Sequence, residues 1–210
     1  MMFITLEGPD GSGKTSQVQP LVDHLHSRGY TVFSTREPGG TEIGDQVREI
    51  LMAMRNTKMN PRTETLLFCS ARAQLVAEVI RPHLEKGEVV ISDRYADSTL
   101  AYQGYGHGND LAQLRQVLSF ATGGLIPDLT LLLDIDAKEG LNRRKSGGGE
   151  WNRMDDYQLE LHQRVRRGYL ELAAAEPGRW VVIDASQPGD MVQSSIRRAV
   201  DRAIPVKPKP

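Results

Sequence analysis

The chain has 210 residues, 39% of them hydrophobic and 25% charged, with a formal net charge of −1. That length suits one globular domain with a sizeable core, and the near-neutral charge supplies no field to attract nucleic acid or an anionic membrane. A single cysteine, Cys69, excludes an intrachain disulfide and suits a reducing cytosol; its apolar helical setting predicts a buried core thiol. No apolar run approaches the length of a membrane span, and the N-terminus enters a strand without a basic segment and long apolar stretch. The expectation is a cytoplasmic protein.

Phe3, Ile4 and Leu6 form an apolar strand that stops at Gly8. Gly8-Pro9-Asp10-Gly11-Ser12-Gly13-Lys14-Thr15 follows, a P-loop pattern between a strand and an amphipathic segment. Glycines without a Cβ let successive N–H groups converge on phosphate oxygens. The helix starting near Lys14 adds its unpaired N–H groups and the positive end of its dipole. Lys14 is spaced to reach the β/γ-phosphates and the Thr15 hydroxyl to ligate Mg²⁺.

Val18, Leu21, Val22 and Leu25 recur at helical spacing up to Gly29, with Pro20 inside, where it should kink or break the helix. Thr31 to Ser34 reads as a strand, and Arg36-Glu37-Pro38-Gly39-Gly40 as an irregular loop. Ile43, Val47, Ile50, Leu51 and Met54 mark a helix. Asn60 and Pro61 open a long helix towards Ile80; Pro82 should restart or kink it, and Gly87 closes it. Glu88 to Ser92 is a buried strand carrying Asp93 at its carboxyl end. Thr99–Tyr105 and Ala112–Ala121 read as helical on either side of a glycine-rich loop.

Leu129 to Ile135 is the most apolar strand, and Trp180 to Ile183 is the last. Between them lie a cationic, glycine-rich loop from Arg143 to Gly149 and a helix through Leu159, Val165, Leu170 and Leu172. A final helix covers Gly189 to Ile204, and 205–210 reads as a disordered tail. Five strands alternating with helices predict a three-layer α/β fold with a parallel sheet. Ligands then bind at the carboxyl ends of the strands. No repeat or composition shift divides residues 1–204.

Asp93 emerges at the same sheet edge as the P-loop, where a second acid holds Mg²⁺, and Arg94 beside it is near the transferring phosphoryl group. Arg143, Arg144 and Lys145, with Arg153 beyond the glycines, fit a cationic lid over residues 143–153. Asp10 would repel a phosphate unless it faces elsewhere: towards the acceptor, a sugar hydroxyl or Mg²⁺. Phe68 and Arg72, four apart, share a helix face that offers a ring to a base and donors to its edge. His24, His26, His83, His107 and His162 lack zinc spacing with Cys69 and read as surface histidines.

Gly8–Thr15, Arg36-Glu37-Pro38-Gly39-Gly40-Thr41, Phe68 to Arg72, Asp93-Arg94-Tyr95, Ser98-Thr99, Tyr102-Gln103 and Asn152-Arg153-Met154 occur in this order. Together they resemble the bacterial thymidylate kinases, over nearly the whole chain. The resemblance implies a P-loop kinase fold, ATP-dependent phosphorylation of dTMP to dTDP with Mg²⁺ in dTTP biosynthesis, and a homodimer. It implies Gly8, Pro9, Asp10, Gly11, Ser12, Gly13, Lys14 and Thr15 for ATP, and Thr15 and Asp93 for the metal. For dTMP it implies Asp10 on the sugar side and a pocket containing Glu37, Pro38 and Gln103. Phe68 would stack on thymine, Arg72 and Thr99 would read its edge, Arg94 would hold its phosphate, and Tyr102 would crowd the 2′ position. No basic residue lies between Gly8 and Gly13, which resembles the subgroup whose catalytic arginines, here Arg143, Arg144 and Arg153, come from the lid. Asn152 stands where an acid often precedes the lid arginine.

A deoxynucleoside kinase would take a sugar hydroxyl as acceptor, and Arg36, Arg94 and the lid cations favour a phosphorylated one. A nucleotide switch of the GTPase kind would carry an Asn-Lys-x-Asp motif, which this sequence lacks.

Overall fold

A computed structural model describes residues 1–147 and 151–204. The tail expected at 205–210 therefore lies outside the described residues. Strands β1 (Met2–Glu7), β2 (Val32–Arg36), β3 (Val89–Asp93), β4 (Leu129–Asp134) and β5 (Trp180–Asp184) form one parallel sheet in the order β2-β3-β1-β4-β5. The expected five-stranded parallel architecture is present.

Helices α1 (Lys14–Ser27), α2 (Glu42–Met52), α3 (Pro61–Leu75), α4 (Arg81–Glu85), α5 (Ala96–Thr99), α6 (Leu111–Thr122), α7 (Ala137–Ser146), α8 (Leu159–Ala175) and α9 (Gly189–Ala203) fill the connections. π-helical turns at Val76–Ile80 and Leu100–Gly106 continue α3 and α5. Asn60 caps α3 by accepting from Arg62 N at 2.9 Å, with Pro61 in its first turn, as the sequence predicts.

Alternating residues of a strand face opposite sides of the sheet. Ile4 and Leu6 pack with Leu21 and Leu25 of α1 and Ile196 and Val200 of α9. Phe3 turns the other way and packs with Leu75, Ile80, Val90 and Tyr95. A third cluster joins the Leu100–Gly106 turn, α6 and α8 through Leu118, Val165 and Tyr169. Each side chain buried this fully contributes roughly 1.5–3 kcal/mol.

Two expectations need correction. Pro20 does not break α1, which runs from Lys14 to Ser27 through it. Burial of Leu21, Val22 and Leu25 against the sheet holds the helix across the missing N–H. Arg143, Arg144 and Lys145 are not in a loop but form the last turn of α7. Asp136 caps that helix by accepting from Lys138 N and Glu139 N, and the three cations sit where the helix dipole is negative.

The connection after β1 crosses to β2 on one side, and the connection after β3 crosses to β4 on the other. The crevice at the carboxyl ends of β1 and β3 is thus the topological switch point, the usual ligand site of such sheets. Leu6 pairs in register with Asp93, so the P-loop and the turn carrying Arg94 leave the sheet side by side.

Candidate active site

The P-loop is shaped by close backbone approach. A Cβ on Gly11 would come within 1.9 Å of Gly140 O, and one on Gly140 within 2.4 Å of Asp10 O. Two glycines are needed where α7 crosses the loop. Gly13, at φ 85°, ends the loop in a left-handed conformation and hands over to α1, whose first residue is Lys14. The Lys14 ammonium folds back on Gly8 O (3.0 Å), Pro9 O (2.9 Å) and Ser12 Oγ (3.2 Å). Burial first, then the Arg94 charge, lowers its pKa to about 8 against the opposing pull of Asp10, Asp93 and Glu7.

Thr15 Oγ1 donates to Asp93 Oδ2 at 2.5 Å across the loop. Arg94 occupies a left-handed backbone conformation, φ 71°, the only described non-glycine residue with a positive φ. Strain of this kind, about 1–3 kcal/mol, persists where surroundings over-determine it. Arg94 Nη1 donates to Gly8 O (3.1 Å), Ser98 Oγ (3.2 Å) and Tyr169 Oη (3.2 Å), and Nη2 to Asp10 Oδ1 (2.6 Å). Tyr102 Oη donates to the other Asp10 oxygen at 2.7 Å. Burial raises the Asp10 pKa, but Arg94, Lys14 and the Tyr102 hydrogen bond outweigh it and hold the carboxyl below its usual range. Asp10 therefore faces Arg94 and Tyr102.

A cleft of about 650 Å³ runs from Lys14, Thr15 and Asp93 past Arg36, Arg48 and Arg94 to Phe68, Thr99, Tyr102 and Gln103. Glu37, Pro38, Arg143 and Arg144 also line it. Arg72 lies behind this wall. It donates through Nε and Nη2 to Glu37, through Nη2 to Tyr95 O at 3.1 Å and through Nη1 to Thr99 Oγ1 at 3.1 Å. Burial raises the Glu37 pKa, opposed by Arg72.

Arg153 is not brought to the cleft. Its guanidinium donates to Leu51 O (2.8 Å), Tyr157 Oη (2.8 Å) and Glu64 Oε2 (2.6 Å), because a sealed carboxylate on α3 offers it a partner. Arg144 pairs with Asp155, which also accepts from Asn152 N and Nδ2. Arg143 donates to Ala185 O at 2.7 Å and pairs with Glu139.

His162 corrects the expectation of surface histidines. It is 2% exposed on α8, with Nδ1 4.0 Å from Asp10 Oδ2, and burial lowers its pKa. Sequence reasoning also missed Arg48, which lines the cleft and donates to Pro38 O at 3.0 Å. The signal was present, since Arg48 stands four after Gly44 and three before Leu51, the two buried positions of α2. A cation on a buried stripe needs a partner.

A P-loop, an arginine-rich middle and an aromatic-lined end in one cleft describe a nucleotide site with room for a second ligand. The family pattern described as thymidylate kinase matches residues 6–196. The chain belongs to the thymidylate kinase family. The thymidylate kinase of Roseiflexus sp. strain RS-1 is 53% identical over 95% of this chain and 93% of its own. That of Deinococcus radiodurans is 50% identical over 95% and 96%. The crystal structure of thymidylate kinase from Ehrlichia chaffeensis superposes with a TM-score of 0.76 at 33% identity, covering 95% of this chain and 98% of that one.

Proposed function

We propose that the chain transfers the γ-phosphoryl group of ATP to dTMP, giving ADP and dTDP. The observation that carries this reading is the continuity of the cleft from Lys14 to Phe68, with Arg36, Arg48 and Arg94 between the two ends. The P-loop, Gly8 to Thr15, is assigned to the ATP phosphates, where Lys14 exchanges its contacts with loop carbonyls for phosphate oxygens. Arg94 is assigned to the dTMP phosphate, and Asp10 to the sugar. Phe68 stacks on thymine in a pocket with Glu37, Pro38, Thr99 and Gln103, Arg72 and Thr99 read the base edge, and Tyr102 crowds the 2′ position.

The Thr15 hydroxyl and the Asp93 carboxylate, 2.5 Å apart, are hard oxygen donors that fit Mg²⁺. When bound, that ion neutralises charge on the β- and γ-phosphate oxygens. The chain's own contribution is positioning and charge. Arg94 and the P-loop N–H groups align acceptor and donor phosphates in line, and Lys14, Arg143 and Arg144 offset charge that spreads over the transferred group. A phosphate monoester is mostly dianionic at neutral pH, so its attacking oxygen needs no general base. Arg153 belongs to the same lid, and its pair with Glu64 sets the position of the segment carrying Asn152 and Asp155.

The domain covers residues 1–204 in this reading, with the lid at about 143–153. A homodimer is part of this reading: Leu66 of α3 and Phe120 of α6, exposed at 56% and 92%, are apolar side chains that a second copy would cover. No described helix is long and apolar enough to cross a membrane, and a cytoplasmic location is part of this reading. The test is ADP release with ATP, Mg²⁺ and a panel of nucleoside monophosphates plus thymidine. Turnover with dTMP is expected; turnover with thymidine alone would make the chain a nucleoside kinase, and ATP binding without acceptor-dependent ADP release a switch.

A further inference from the structure

Glu7 closes β1 immediately before the P-loop and is fully buried. The mechanism above gives it no task. Its Oε1 accepts from Tyr95 N at 2.8 Å. Its Oε2 accepts from the hydroxyls of Ser98 (2.6 Å) and Tyr169 (2.9 Å). Those two hydroxyl oxygens are 2.8 Å apart, and each accepts from Arg94 Nη1 at 3.2 Å.

We propose that Glu7 is a positioning residue for phosphoryl transfer: as a carboxylate it turns the Ser98 and Tyr169 hydroxyls so that their lone pairs cradle Arg94, and on protonation it undoes that cradle. The inference rests on the assignment of Arg94 to the acceptor phosphate. A hydroxyl has one proton to donate. With Glu7 ionised, both protons go to Oε2 and both oxygens are left to accept from the guanidinium. A proton on Oε2 must instead be given to one of the hydroxyls. That hydroxyl turns its own hydrogen to the other hydroxyl oxygen, 2.8 Å away, and takes up a lone pair that had faced Arg94, so the guanidinium loses an acceptor in a buried setting. Arg94 also leans on Gly8 O and Asp10, so it is shifted rather than released.

The charges facing Glu7 make this a change within reach of ordinary pH. Asp97 on α5 stands against it, itself paired with Arg179. Arg94 after β3 favours its charge, as does Lys14 from α1. Tyr169 of α8 and Ser98 of α5 donate to it. Burial is the largest effect, followed by Asp97, and together they raise its pKa to about 7. The carboxylate form, present above that value, is the competent one.

The experiment is kcat/KM for dTMP from about pH 5.5 to about pH 9 in wild type, Glu7→Gln and Ser98→Ala/Tyr169→Phe. The wild-type to variant ratio is the readout, because ionisation of dTMP itself cancels in it. We expect the ratio to be roughly 10- to 100-fold at alkaline pH and to collapse towards unity below about pH 6, for both variants. A ratio that is large but flat with pH, in folded variants, overturns the inference and leaves Glu7 a structural residue. So does a ratio near unity throughout. If Glu7→Gln does not fold, the double variant carries the same test, since it keeps Glu7 but cuts its link to Arg94. Failure of the kinase reading is separate: wild type would then show no dTMP-dependent turnover at any pH.

Discussion

Arg153 and Glu64 form a buried ion pair, Nη2 to Oε2 at 2.6 Å, with side chains 8% and 2% exposed. Glu64 also accepts from Gln103 Nε2 and Tyr157 Oη, both at 2.7 Å. One carboxylate on α3 thus ties the segment after the lid glycines to a residue of the aromatic end of the cleft. Truncating one partner of a buried pair leaves the other charge uncompensated. Arg153→Ala should therefore lose about 3–5 kcal/mol of stability, read by urea denaturation. A loss under about 1 kcal/mol would make the pair equivalent to a surface contact.

The same carboxylate gives a signed pH dependence. Burial raises the Glu64 pKa, but the His107 imidazole 3.2 Å away and hydrogen bonds from Tyr157, Gln103 and Arg153 outweigh it and bring it from 4.5 to about 2. A folded-state pKa below the unfolded one stabilises the protein above the unfolded value, and that stability is lost as pH falls through the folded one. The amount is about 3 kcal/mol. Melting temperatures of wild type and Glu64→Gln should differ most above pH 4.5 and converge towards pH 2. A gap that stays constant through that window would assign the difference to packing.

Lys14→Ala should abolish most turnover while leaving the fold intact. The side chain's contacts are with the loop's own carbonyls and Ser12, so its removal costs no core packing. One preorganised donor at developing charge supplies roughly 10²–10³-fold in kcat. A folded variant turning over at wild-type rate would place the phosphates elsewhere.

Most of the sheet was legible because buried parallel strands read as short apolar runs, and Leu129–Asp134 carries four leucines in six residues. The P-loop was legible because its chemistry is local. Helix α7 was not: Leu141 is its one large apolar residue, and its helicity comes from the Asp136 cap and the closing cations. The sealed position of His162 depends on α8 lying over the P-loop, a contact that no local pattern announces. Arg72 was read as sharing a helix face with Phe68, but its pairing with Glu37, 35 residues away, exists only once α3 packs against the loop after β2.

The Thr15–Asp93 contact predicts how the metal is held. Thr15→Val keeps the shape and removes the hydroxyl, so the Mg²⁺ concentration giving half-maximal rate should rise at least about 10-fold. Thr15→Ser should stay near wild type. An unchanged Mg²⁺ requirement in the valine variant would exclude the hydroxyl from the ion's surroundings.

Arg72 has five N–H donors and no acceptor. Glu37, Tyr95 O and Thr99 take four of them, which leaves one Nη1 hydrogen beside Thr99. Thymine O4 accepts such a hydrogen; cytosine presents an amino donor at the same place and leaves it unmatched. Sites that hydrogen-bond their substrate reject mismatched analogues by roughly 10⁴-fold, so wild type should prefer dTMP over dCMP on that scale. Arg72→Ala would also strand the Glu37 carboxylate in a buried site, confusing recognition with folding. The cleaner variant is Glu37→Gln/Arg72→Gln, which removes both charges together. It should stay folded by circular dichroism, lose most dTMP activity and retain its weak dCMP activity. A dTMP to dCMP ratio of kcat/KM unchanged from wild type would remove Arg72 from base reading and leave it the anchor of Glu37.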